Sequence, residues 1–98
     1  MDEIKPPVPD FKFFISTLAL QASIFLGQIP NPVSQKIEPD MLQAKFIIDT
    51  LGMLQEKTKN NLSDEEADLL ENFLFELRTV YLSKNKGISP VQGEKNDR

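Results

Sequence analysis

Asp64, Glu65, Glu66 and Asp68 form the densest cluster of side chains able to do chemistry in this sequence. Carboxylates this close serve as acid–base pairs when their environments hold one protonated and the other ionised. A di-metal site built from them would add Glu-x-x-His motifs on facing helices. The sequence has no His, so the commonest general base and metal ligand are both missing. It has no Cys either, which removes thiol nucleophiles, zinc ribbons and disulfides. Ser16, Ser23, Ser34, Ser63 and Ser83 are scattered, and none sits in a recognisable catalytic motif, although a Ser–Lys pair is conceivable in principle. No segment spells a phosphate-cradling glycine loop. The chemistry expected here is therefore non-enzymatic, with no cofactor.

The carboxylates have a simpler use. In Leu62-Ser63-Asp64-Glu65-Glu66-Ala67, Ser63 is placed as a helix N-cap and Glu66 as its reciprocal partner. Three acids then lie at the positive end of the helix dipole. The cluster Lys57-Thr58-Lys59 reads in the opposite sense, as cations at a helix C-terminus. A phosphate or RNA role would want more cations interleaved with exposed aromatics. A net charge of −4 and a pI near 4.7 argue the same way, so no nucleic-acid partner is expected.

These caps divide 98 residues into one helical domain. Residues 1–9 carry Pro6, Pro7 and Pro9 and read as an extended arm. Asp10 caps a first helix over 10–26, with Gly27 placed for a left-handed cap and Pro30 and Pro32 barring continuation. Residues 27–39 form a long connection. Asp40 caps a second helix over 40–59, with Gln43 completing a box-like pair and Asn60-Asn61 ending it. The third helix spans 63–83, and residues 84–98 read as a disordered tail. The apolar run Phe11 to Leu26 is too short for a bilayer span of about 20 residues. It also lacks the basic start and the cleavage site of a signal peptide. Its only cation, Lys12, is too little for an interfacial helix. A cytoplasmic protein without membrane insertion is expected.

Helical periodicity separates core from surplus. The inward stripes are Phe11, Phe14, Ile15, Leu18, Ala22, Phe25 and Leu26; then Ala44, Ile47, Ile48, Leu51 and Leu54; then Leu70, Phe73, Leu74, Leu77, Val80 and Tyr81. The fold class is all-α, a small three-helix bundle or a helical hairpin with a packed N-terminal helix, completed by oligomerisation. Gly52, inside the second helix, marks either a close helix contact or a tolerated surface position. Outside the stripes remain Phe13, Leu20 and Ile24, which with Thr17 follow the 4-3-4 spacing of a helix–helix seam. Leu42, Phe46 and Met53 make a second stripe on the second helix, and Phe75 and Leu82 lie off the stripe of the third. A large apolar side chain left in water forfeits about 1.5–3 kcal/mol of burial. Several together rival a small domain's net stability of about 5–15 kcal/mol. Either a partner covers them, or single exposed residues are simply tolerated, or Ile29, Val33 and Ile37 of the long connection fold back over one stripe.

The segments DFKFFISTLALQASIFLGQIPNP (10–32), IDTLGMLQEKTK (48–59) and NLSDEEADLL (61–70) together resemble the small bacterial domain-of-unknown-function family numbered 1844. The likeness covers residues 10–82. Asn60 stands where many members carry Gly, and Asn tolerates the same left-handed turn. The resemblance implies a bacterial helical domain and carries over no catalytic, cofactor-binding or metal residue.

Two functional readings follow. The first is an interaction or oligomerisation module, pairing with itself or with a helix of another protein through Phe13, Leu20, Ile24, Leu42, Phe46, Met53 and Phe75. The second is a small-molecule or peptide-binding protein with the GQIPNP loop as the rim of its pocket. Convergent polar groups in a concavity would favour the second, and flat apolar helical faces the first.

Overall fold

The computed structural model describes residues 5, 6 and 8–85. Three helices follow in order: α1 (Phe11–Phe25), α2 (Met41–Lys57) and α3 (Asp64–Asn85). The chain is all-α, with no strand among the described residues. Each helix touches the other two, so the architecture is a three-helix bundle. The expectations for residues 1–4, 7 and 86–98 lie outside the described residues. Lys84 and Asn85 belong to α3, not to a tail, because Lys84 in the last turn favours the helix dipole.

The helix ends are built by the residues that announce them. The Phe13 N–H donates to Asp10 Oδ2 at 2.8 Å, and the Gln43 N–H to Asp40 Oδ1 at 3.2 Å. Ser63 and Glu66 close a full capping box: the Ser63 N–H donates to Glu66 Oε1 and the Glu66 N–H to Ser63 Oγ. After α1, Gly27 adopts φ +80 and the Gly27 and Gln28 N–H groups reach back to the Ile24 and Ser23 carbonyls. That is the Schellman arrangement. A Cβ at Gly27 would sit 3.0 Å from Pro39 Cγ, so the same glycine lets the end of the connection pack against α1. Asn60 takes the left-handed turn after α2 with φ 69.

One cap differs from expectation. The Asp40 N–H does not receive the Gln43 side chain; it donates to the Phe25 carbonyl at 2.8 Å. A main-chain bond between elements satisfies the donor that a capping box would have used, and it pins the start of α2 beside the end of α1. The connection itself closes on Asn31, whose side chain accepts from the Val33 and Ser34 N–H groups and whose own N–H donates to the Lys36 carbonyl. Gln35 completes this turn in the left-handed region, with φ 62.

The contacts set the helix directions. Lys12 near the start of α1 bridges Glu65 near the start of α3, so α1 and α3 run parallel. Gln55 meets Glu71, and Gly52 lies under Arg78, so α2 and α3 run antiparallel. The buried core is Ile15, Ala19, Ala22 and Leu26 of α1 and its end; Ala44, Ile47, Ile48 and Leu51 of α2; and Leu70, Leu74 and Leu77 of α3. The expected stripes of α2 and α3 are buried or pack against this core. α1 is rotated relative to its expected face. Phe14 is 49% exposed and Ala19 takes a core position instead. With Ala19, Ala22 and Ala44 at the contacts the backbones approach closely, and a Phe would hold them apart.

Candidate interaction surface

Three kinds of surface remain once the core is closed. The first is the seam on α1. Phe13 and Leu20 are exposed and Ile24 is half-buried, all on the side of the helix opposite Ile15, Ala19 and Ala22. Thr17 lies among them, and its hydroxyl donates to the Phe14 carbonyl at 2.7 Å. The seam's one hydroxyl is thus bonded within its own helix.

The second is the outer stripe of α2, Leu42, Phe46 and Met53. Thr50 stands within it and again donates to a carbonyl of its own helix, that of Phe46. Phe75 on α3 is followed by Thr79 in the same relation. Phe13, Leu20, Leu42, Phe46, Met53 and Phe75 each keep between 46% and 81% of their surface in solvent. The connection does not cover them: Val33 is 92% exposed at the tip of its turn, because the Asn31-centred bonds hold that turn closed on itself.

The third is a groove of about 570 Å³ between the parallel helices α1 and α3. Ser16, Leu20 and Ser23 form one wall, and Phe73, Glu76 and Val80 the other. Leu20 and Phe75 both line it, so the structure brings together these two expected site residues from different helices. Of the GQIPNP segment, Gln28 alone reaches this groove. A smaller apolar hollow of about 250 Å³ lies between α2 and α3, under Arg78 and beside Tyr81 and Leu82. Neither concavity was legible in the sequence, because periodicity assigns faces to single helices and says nothing of the spacing between two.

Charge on these surfaces is sparse and local. Lys12 Nζ lies 3.1 Å from Glu65 Oε1, and that hydrogen bond, followed by the charge of Glu65, raises the Lys12 pKa. Lys45 Nζ lies 2.7 Å from Asp49 Oδ2 one turn later, and the same two causes raise its pKa. Lys57 stands in the last turn of α2, where the dipole favours it. Among the described residues no polar or charged side chain is buried, and no group of His, Cys, Asp or Glu is arranged to hold a metal ion. No described helix is long and apolar enough to cross a membrane. The arrangement can present apolar surface to a partner whose own surface is apolar.

No curated protein and no solved structure matches the chain. A family model described as a domain of unknown function (DUF1844) matches residues 8–83. That span holds all three capping sites, the left-handed positions Gly27, Gln35 and Asn60, the whole core and every seam residue, and on it the chain belongs to the DUF1844 family.

Proposed function

We propose that the protein is a non-enzymatic interaction module whose outward helical faces are completed by another polypeptide. The observation that carries this reading is the exposure of Phe13, Leu20, Leu42, Phe46, Met53 and Phe75 around a core that is itself small. A monomer of this size gains nothing from so many large apolar side chains left in water, each forfeiting about 1.5–3 kcal/mol of burial. The hydroxyls of Thr17, Thr50 and Thr79 support it, since each is already bonded to its own helix and can be buried without losing a partner.

The pocket reading draws less from the same structure, because the GQIPNP segment contributes little to the groove and no buried polar group converges there. The test is recovery of the tagged chain from its native cells, sized by light scattering. The expected result is an assembly, with itself or with another protein, that Leu20→Lys and Phe46→Lys release. Recovery of wild type as a free monomer, indistinguishable from both variants, would sink the reading.

A further inference from the structure

We infer that the occupant of the α1 seam is a second copy of this chain, paired antiparallel about a two-fold axis between Thr17 and Leu20. The inference rests on the interaction reading and names its partner. An antiparallel two-fold at that point sets Phe13 against Ile24 of the other copy and Thr17 against Leu20. The largest seam residue meets a medium one, and the smallest leaves room for a leucine. A self-complementary surface is what an isologous pair requires. Antiparallel helices also set opposite dipole ends side by side.

Charge points to the same occupant. Lys12 is the one charged residue among the fifteen of α1, and it is engaged with Glu65. The seam from Phe13 to Ile24 is neutral, so a strongly charged partner finds nothing to pair with, whereas a second neutral seam leaves no charge unpaired. Most acids that would oppose contact between two copies lie on α3, and of Asp64, Glu65, Glu66, Asp68, Glu71 and Glu76 only Glu76 lines the groove beside Leu20. The Thr17 hydroxyl, bonded to the Phe14 carbonyl, needs no partner across the seam.

Area sets the strength. Taking roughly half of each aromatic's 150–250 Å², and less for the aliphatic residues, the seam with Phe14 offers about 400 Å² per copy. A standard stable interface buries about 800 Å² per partner. The pair is therefore a reversible dimer whose population depends on concentration.

The sequence has no Cys, so single introduced cysteines report pairing cleanly. F13C and I24C are purified separately, mixed, and oxidised at several concentrations beside each variant alone. The expected result is a mixed disulfide several-fold more abundant than either self-linked product, together with a wild-type mass that rises toward two chains in light scattering. Leu20→Lys should move the dimerisation midpoint at least tenfold upward, with circular dichroism confirming that the fold is kept. If that variant unfolds, the mixed disulfide still decides. Self-linked F13C as the main product would overturn the antiparallel register. A wild-type chain monomeric at several hundred micromolar would overturn the second-copy inference altogether. An assembly with a different protein in native cells, alongside that monomer, would leave only the broader interaction reading standing.

Discussion

α1 and α3 run parallel and pack on the same α2, yet they are composed on different plans. α3 buries Leu70, Leu74 and Leu77, packs Phe73, Val80 and Tyr81 beside them, and gives half of its other positions to charge. Its capping box and acidic first turn fit it to water. α1 buries Ile15, Ala19 and Ala22 and then continues apolar around its circumference, with Phe13, Phe14 and Leu20 in solvent. The fold accounts for most apolar residues of α3, leaving Phe75 and Leu82 in solvent. It leaves about half of α1 without a use, and that surplus is where the function has to be sought.

The sharpest way to break this comparison is to truncate α1 on each side in turn. Ile15→Ala opens a cavity at a fully buried site and should cost about 2–5 kcal/mol. Leu20→Ala, half in solvent, should change the urea midpoint of the dilute monomer little. Equal losses would show that the outer face supports the fold, and the distinction between fold residues and partner residues on α1 would collapse.

How much of this was legible follows the same division. The inward faces of α2 and α3 were readable because their core stripes, Ala44 to Leu54 and Leu70 to Tyr81, keep a clear helical period. The helix starts were readable because caps such as Asp10, Ser63 and Glu66 act through bonds within three residues. α1 misled over Phe14 and Ala19. With apolar residues on several sides, periodicity does not say which face turns inward, and a small residue at a tight contact leaves no hydrophobic signal. The Asp40-to-Phe25 main-chain bond has no side-chain signature at all. The seam residues were legible as leftovers, whereas the groove that joins Leu20 to Phe75 required the helix spacing.

The comparison can next be sharpened at α3's cap. Ser63→Ala removes the acceptor for the Glu66 N–H and should lower stability by about 0.5–2 kcal/mol. The loss should appear in urea melts without affecting dimerisation, since Ser63 is no part of the α1 seam. A change in mass at constant stability would extend the interface to the start of α3.

A smaller effect of opposite sign is expected at Gly52, where α2 meets α3. A Cβ there would stand 3.0 Å from Arg78 Nη2, the far end of an exposed, flexible side chain that can swing aside. Gly52→Ala should therefore gain about 0.5–1 kcal/mol from helix propensity. A loss would mean that Arg78 is held in place over Gly52 and cannot swing aside.

The smallest effect concerns the ion pair between the two helices compared. Lys12 on α1 meets Glu65 on α3, and both side chains remain substantially exposed, so solvent and salt screen the attraction. The Glu65 hydrogen bond and charge raise the Lys12 pKa above its ordinary 10.5. A group whose pKa is raised by folding stabilises the native state fully below its unfolded pKa. That contribution disappears as pH rises through the folded value. Urea melts of wild type and Lys12→Met, run from pH 7 to above the lysine range, should therefore differ slightly at neutral pH and converge at the alkaline end. A difference that persisted there would belong to the packing of the Lys12 stem. Lys12 would then hold the two helices together by the same apolar contact as the rest of α1.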